Sequence, residues 1–144
     1  MAIDHRQVRE IMRKRLIAAV PNLPPSSRRA WENRKFTPPS PDSKLTWVRE
    51  HYIIVNEHLP ATNLIESNVI VQYDVVAATG RGTEACDDIG KEIREAFKPA
   101  TSLTGKSDIT IVIDRSEPSP PLSDEVWYFI PIKINIRIYV ANTT

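Results

Sequence analysis

The chain has 144 residues, of which 41% are hydrophobic and 26% charged, and its formal net charge is +1. These proportions are typical of one soluble globular domain and argue against an intrinsically disordered chain. No apolar run reaches transmembrane length, and the opening residues MAIDHRQVREIM lack the apolar centre of a signal peptide, so we expect a cytoplasmic protein without a membrane partner.

Positive charge is concentrated at the start of the chain. Residues 1–35 contain nine Lys/Arg and three Asp/Glu, whereas residues 36–144 contain ten and fifteen. A solvated basic helix is the ordinary interpretation of such a charge run. The functional interpretations are contact with nucleic acid and head-to-tail attraction between copies of the chain.

The first predicted element is a helix that is capped by Asp4 and runs to about Val20. Its apolar arc consists of Val8, Ile11, Met12, Leu16 and Ala19. Arg6, Arg9 and Arg13 lie together on the opposite arc. The following residues, 21–44, are rich in proline and lack periodicity, so they are predicted to form a long arm that Trp31 and Phe36 keep ordered.

Two strands and a second helix come next. Residues 45–55 and 68–78 are rich in β-branched and aromatic side chains, and the segment 56–67 between them is too long for a tight hairpin turn. TGRG then ends the second strand, and Thr83 caps a helix closed by Pro99. The buried stripe of this helix is predicted to be Cys86, Ile89, Ile93, Ala96 and Phe97. Gly90 on the same side predicts a close approach to the sheet.

The last third of the chain contains two further strands. Residues 108–114 form the third strand, a proline-rich loop follows, and residues 126–140, VWYFIPIKINIRIYV, form the fourth. Their strict alternation places one isoleucine-rich face in the core. The other face carries Trp127, Phe129, Lys133, Arg137 and Tyr139. Pro131 predicts a bulge or an edge position, because proline cannot donate to a strand ladder.

The element order α-β-β-α-β-β predicts an α+β fold in which a four-stranded mixed sheet has both helices packed on one face. The second and third strands would be parallel if they are neighbours. We expect a single domain over residues 1–144. It comprises a basic N-terminal helix at 1–20, the proline-rich arm at 21–44, and the sheet with the second helix at 45–140.

Two motifs resemble nucleotide-binding loops. GRGTEA, residues 80–85, matches the dinucleotide pattern, with Asp114 as the candidate ribose ligand. Glu84, Asp87 and Asp88 would however repel a pyrophosphate at that helix N-terminus, and Asp114 stands about 30 residues on where the pattern needs about 20. ATSLTGKS, residues 100–107, nearly matches a phosphate loop but follows a helix and precedes a strand. We therefore interpret both motifs as structural.

No other residues form a credible catalytic or metal site. The single cysteine, Cys86, excludes an internal disulfide, and on a buried stripe it is interpreted as a small hydrophobic residue and not as a nucleophile. His5, His51 and His58 do not stand at metal-ligand spacings. We therefore predict that the protein is not an enzyme and has no cofactor and no metal.

Four stretches occur in a recognisable order, namely AWENRKFTPP, TWVREHYIIV, YDVVAATGRGTEACDDIGKEIREAF and DEVWYFIPIKINIRIY. Through these stretches the sequence resembles the tail terminator proteins of long-tailed bacteriophages, the lambda-type minor tail protein U group. The matching positions are Trp31, Phe36, Thr37, Pro38, Pro39, Tyr73, Val75, Gly80, Gly82, Phe97, Trp127, Tyr128 and Pro131. The basic first helix and the segment 56–67 depart from the pattern of the group.

The resemblance implies a structural protein of the virion tail, assembled in the host cytoplasm. Members of the group form a hexameric ring that caps the tail tube, stops its polymerisation and provides the surface for head-tail joining. The implied partners are further copies of the chain, the tail tube protein and a head-completion or connector protein. The fold that the resemblance implies is a mixed α/β sandwich.

A ring requires two unlike lateral surfaces on each subunit. The second face of the last strand, with Trp127, Phe129, Lys133, Arg137 and Tyr139, is the candidate subunit junction or channel wall, and solvated outward residues are the alternative. Because DNA passes through such a tail, Arg6, Arg9 and Arg13 are candidates for non-specific contact with DNA in the lumen, or for contact with a partner protein. The alternative function is a small nucleic-acid-binding module that uses the basic helix.

Overall fold

The computed structural model describes residues 2–80, 83–106 and 108–141. Its elements are α1 (His5–Ala19), β1 (Arg29–Ala30), β2 (Trp47–Ala61), β3 (Leu64–Ala78), α2 (Thr83–Ala96), β4 (Ser102–Thr104), β5 (Thr110–Pro118), β6 (Leu122–Ser123) and β7 (Trp127–Ala141). Two short 3-10 helices, Ser26–Arg28 and Pro41–Ser43, lie in the arm. Neither α1 nor α2 is long and apolar enough to cross a membrane.

The predicted four-stranded sheet with both helices on one face is wrong. The protein is mostly β: seven strands form one curled, half-barrel mixed sheet in the order β1-β2-β3-β7-β5-β4, and β6 pairs with β7. Among the strands of the described residues, β1 and β2 form the one parallel pair, and β7 separates β3 from β5. The missed strands, β1, β4 and β6, have two or three residues each, which is too short to show a period of two.

The first long hairpin also differs from the expectation. β2 and β3 each have 15 residues and pair up to Ala61 and Leu64, so the turn between them has two residues and is tight. Strand pairing uses backbone groups, so it continues through the polar residues of segment 56–67 where no hydrophobic alternation marks it. Two register shifts, one on each side of residues 56–58, accompany this change in pattern.

The core lies between α2 and the isoleucine-rich face of β7, as the alternation predicts. Ile134 and Ile138 have no exposed surface, and the five predicted stripe residues of α2 are all buried. A Cβ added at Gly90 would lie 3.3 Å from Ile132 Cδ1, which confirms the predicted close approach of this helix to the sheet. The Tyr73 and Phe97 rings stack at 6.1 Å beneath the helix.

The opposite side of the sheet, here called the open face, is defined by Trp47, Asp74, Phe129, Lys133 and Arg137. Directly paired residues of neighbouring strands point to the same side, and the registers of β2, β3 and β7 place these residues together. The arm covers one end of this face, because the Phe36 ring lies 5.1 Å from Trp47 and Trp47 lies 5.5 Å from Trp127.

Pro131 occupies neither an edge strand nor a bulge, so that expectation is wrong. It lies in the central strand β7, and its pairing with Asp74 of β3 belongs to an unshifted register. On its other side β5 ends at Pro118 and β6 begins at Leu122. The Pro131 carbonyl accepts a bond from the Ser119 amide there. The N–H that Pro131 lacks would therefore point at the gap between the end of β5 and the start of β6, where no hydrogen bond to a neighbouring strand is required.

Candidate assembly surfaces

The three candidate arginines of α1, Arg6, Arg9 and Arg13, have different surroundings. Arg6 has a side chain that is 85% exposed, and its Nε lies 3.9 Å from Glu10. The Arg9 guanidinium sits 5.0 Å from the centre of the Tyr52 ring. Arg13 points into the protein, where its guanidinium lies 5.0 Å from the centre of the Trp31 ring and contacts Glu50. The predicted common basic arc is thus divided between solvent, an aromatic ring and a buried carboxylate.

Arg13 and Glu50 form a two-pronged ion pair. Arg13 Nε donates to Glu50 Oε2 at 2.8 Å, and Arg13 Nη2 donates to Glu50 Oε1 at 2.5 Å. Only 14% and 1% of the two side chains are exposed. The hydrogen bond with Glu50 raises the pKa of the Arg13 guanidinium. This pair holds α1 on the sheet, since the partners are on α1 and β2.

Sequence reasoning did not single out Glu50, although one signal marked it. In the strand WVREHYIIV the alternation puts residue 50 on the same side as Val48 and Tyr52, both of which are buried. A charged residue at a core-facing strand position requires a partner of opposite charge. The partner lies 37 residues away in sequence, so only the tertiary structure identifies it as Arg13.

Beside α1 lies a groove of about 850 Å³, here called the basic groove. Its walls come from α1, from the arm around Trp31 and Arg34, and from residues 103–106 at the turn after β4. A Cβ at Gly105 would overlap the Ile11 side chain, so this turn approaches α1 closely. The basic lining residues are Arg13, Lys14, Arg15, Arg34 and Lys106, and the one acidic lining residue is Glu10. The groove therefore favours an anionic occupant.

The open face contains the five residues that the last strand predicted as junction or channel wall. Trp127 and Phe129 are half-buried; the Trp47 ring packs on Trp127, and the Arg49 guanidinium lies 5.1 Å from the centre of the Phe129 ring. Lys133 is exposed. The remaining two contact each other, since Arg137 Nη1 donates to the Tyr139 hydroxyl at 2.7 Å.

Two arginines of the open face, Arg137 and Arg49, are paired with carboxylates of the same chain. Arg137 Nε donates to both carboxylate oxygens of Asp114 at 2.9 Å. The Asp74 side chain, 1% exposed, accepts from Arg49 Nε at 3.0 Å and from Gln72 at 2.7 Å, and His51 Nε2 lies 2.9 Å away. A carboxylate with three such partners is a structural element of the sheet, because its oxygens are already occupied.

Large hydrophobic side chains are exposed along the distal half of β2, here called the hairpin margin, residues 53–59. Ile53, Ile54, Val55 and Leu59 are between 48% and 59% exposed. β1 pairs with β2 only at Val48 and Arg49, so within the described ranges no strand covers the outer edge of this margin. Successive residues of a strand point to opposite faces, so a run of three apolar residues places apolar side chains on both faces of β2. This run was the signal in the sequence for the apolar hairpin margin.

Both loop motifs are described only in part. In GRGTEA, Arg81 and Gly82 lie outside the described residues, and α2 begins at Thr83. ATSLTGKS contains β4 and precedes β5, so no helix follows it, and its Ser107 is also outside the described residues.

Burial, together with Asp87, raises the pKa of the Cys86 thiol to about 12, which suits a buried structural cysteine. Across residues 2–80, 83–106 and 108–141, no group of three or more His, Cys, Asp or Glu residues could hold a metal ion.

Comparison with known proteins gives a family and a fold. The model of a family described as phage tail terminator protein matches residues 7–136. Three chains among the solved structures match, and one of them, whose printed name states no function, has a TM-score of 0.69 over 99% of both chains at 17% identity. At that identity the likeness shows the fold alone. No curated protein matches the sequence.

Proposed function

Because this chain belongs to the phage tail terminator family, we propose that it forms a ring on the end of the phage tail tube, stops tube polymerisation and offers the surface for head-tail joining. Family membership makes the protein a structural component of the tail that interacts with other tail components. The proposal includes the ring and its six-fold closure, with the tube protein and the head-completion protein as neighbours. It also includes assembly in the host cytoplasm and a role that is structural and not catalytic.

The observation that carries this proposal is the apolar hairpin margin. Contiguous exposed apolar surface on an unpaired strand edge is a liability in a protein that acts alone, because it invites strand addition and aggregation. Here the exposed residues Ile54, Val55 and Leu59 lie on that free edge. An assembly protein buries such a margin against its neighbours in the finished particle. We assign the margin to contact with the tail components that the ring joins.

We further propose that the open face lines the channel. DNA must pass through the tail without being held, and exposed unpaired cations would bind its phosphates. On this face Arg49 is bonded to Asp74 and Arg137 to Asp114, whereas Lys133 and Arg115, which pairs with Asn135 of β7, are exposed cations. The paired charges support a wall that DNA slides past. The same pairing argues against the alternative of a nucleic-acid-binding module, as does the burial of Arg13 against Glu50.

Tube capping is the direct test. Purified protein added to polymerising tail tubes should appear as a ring at one tube end by electron microscopy, and the tubes should stop growing. Val55→Asp, which places a charge on the hairpin margin, should abolish capping because a desolvated charge opposes the contact. Leu45→Asp is the matched control, since Leu45 is 43% exposed and lies outside the margin. A wild-type protein that stays monomeric and leaves tube growth unchanged would disprove the proposal.

A further inference from the structure

The basic groove combines charge with exposed apolar surface. Lys14, Arg34 and Lys106 are exposed residues, and no ion pair is formed by any of them within the described part of the chain. Ile17, which also lines the groove, is 48% exposed, and Trp31 forms part of the wall. A ligand that satisfies this lining carries both anionic groups and apolar surface, and protein segments with Asp or Glu beside large apolar side chains have both. Duplex DNA offers phosphates and sugars on its outer surface and no large apolar side chain to pack against Ile17.

One segment of the same chain has this chemistry. The acidic loop, residues 117–126, contains three acidic and no basic residues. The loop also exposes two large hydrophobic side chains, Leu122 at 54% and Val126 at 45%. The negative charge of the acidic loop therefore complements the positive charge of the basic groove, and its apolar side chains complement the exposed apolar surface of the groove. Together these two patches account for three of the eight large hydrophobic residues that the described chain exposes, and the hairpin margin accounts for four more.

The acidic loop is held in a defined shape. Asp124 Oδ1 accepts from the backbone amides of Val126 and Trp127 at 2.7 Å each, and β6 in the loop pairs with β7. Prolines at 118, 120 and 121 restrict the backbone further. A loop that is ordered before binding loses little conformational entropy when it docks.

The acidic loop and the basic groove of the same chain cannot contact each other. The turn at Gly105 leads into β5, and the acidic loop begins where β5 ends. Nine strand residues extend about 25–30 Å, so the two patches lie at opposite ends of this strand. The complement of each patch must therefore come from another molecule. Two unlike complementary patches on one chain make a head-to-tail contact, which is the type of contact that closes into a ring.

We propose that the basic groove of one copy receives the acidic loop of the next copy. Lys14, Arg34 and Lys106 face Glu117, Asp124 and Glu125 across the junction, and Leu122 packs against Ile17. This inference rests on the proposed ring and names its lateral contact. It leaves the hairpin margin free for the tube and the head. The junction borders the open face, because Glu117 and Leu122 pair directly with Lys133 and Phe129 of β7.

Reciprocal charge reversal tests the contact. The groove variant is Lys14→Glu with Arg34→Glu, and the loop variant is Glu117→Lys with Glu125→Lys. Each variant alone should weaken self-association at least about tenfold, measured by native mass spectrometry and analytical ultracentrifugation, because like charges then face each other. Mixed in equal amounts, the two variants should regain rings in which they alternate, since each supplies the partner that the other lacks. Misfolded variants would not be rescued by mixing, so recovery separates docking from folding.

A charge-reversal control outside both patches shows whether the effect depends on the position of the charges. Lys91→Glu with Lys98→Glu changes net charge by the same amount on exposed positions outside both patches, and it should assemble like the wild type. The contact is refuted if wild-type rings form and the reversal variants assemble equally well, or if both variants fold and their mixture stays dissociated. It is also refuted if groove reversal abolishes binding to duplex DNA while rings persist. Rings that form through this contact and fail to cap tubes would refute the proposed function alone.

Discussion

Arg13 is expected to stabilise the fold and not to contact DNA, and Arg13→Ala separates these roles. In the structure its guanidinium contacts the Glu50 carboxylate at 2.8 and 2.5 Å and lies over Trp31. Removing it leaves a carboxylate that is 1% exposed without its counter-charge. The substitution should therefore destabilise the protein far more than loss of a surface arginine.

The size of the effect follows from what remains around Glu50. Removal of one partner of a buried ion pair costs about 3–5 kcal/mol. The Glu32 amide still donates to Glu50 at 3.3 Å, but this bond is long and provides little compensation. Arg13 lines the open basic groove, so water can enter when its side chain is removed. We therefore expect the lower end of the range, about 3 kcal/mol, which lowers Tm by about 6–12 °C for a chain of this length.

Urea unfolding followed by tryptophan fluorescence measures this loss, with wild type and variants held in the same oligomeric state. Arg6→Ala is the matched control, because Arg6 is 85% exposed and its removal should change stability by less than about 0.5 kcal/mol. Arg13→Met combined with Glu50→Leu removes both charges and keeps an apolar side chain against Trp31. The double variant should lose less stability than Arg13→Ala. If Arg13→Ala is as stable as Arg6→Ala, the buried-pair argument is wrong.

Three further predictions concern the core, the cysteine and the acidic loop. Ile134→Ala should cost about 2–5 kcal/mol in urea unfolding, whereas Val55→Ala, at a side chain that is 56% exposed, should cost less than about 0.5 kcal/mol; equal costs would contradict the assignment of the two faces. Because burial raises the pKa of Cys86 to about 12, a thiol reagent at pH 8 should label the chain only after unfolding, and rapid labelling of the native protein would contradict the burial. The hydrogen bond from the Trp127 backbone N–H is the main cause that lowers the pKa of Asp124 below its ordinary 3.8, so the loop turn should be intact above that pH and be lost as pH falls through the lower folded value; a protection factor for Trp127 amide exchange that stays constant through this range would disprove this.

Both helices and the last strand were predictable because their signals are local. Asp4 caps α1 as expected, and the helix ends one residue before Val20. The apolar period of β7 matches its burial from Ile130 to Val140. Membership of the tail terminator family was also predicted from motifs and is confirmed, whereas the closer resemblance to the lambda-type U group stays a prediction.

The strands that the sequence did not reveal lack a local signal. β1, β4 and β6 owe their conformation to a neighbour, since each pairs with a longer strand and is too short to be stable alone. The two-residue hairpin turn was missed because polar residues on an exposed margin continue a strand as well as apolar ones do. The same limit applies to the basic groove, whose walls come from α1, the arm and the turn at Gly105.

The sequence by itself determined the two helices, the central parts of the four long strands, which side of β7 enters the core, and the family. The tertiary structure decided that β7 lies between β3 and β5, that Arg13 belongs to Glu50, and that Lys14 shares a groove with Lys106. Periodicity records the contacts of a residue with its near neighbours along the chain. Strand order and ion pairing depend on which distant segments meet when the whole chain closes around one core, and no window of the sequence contains that information.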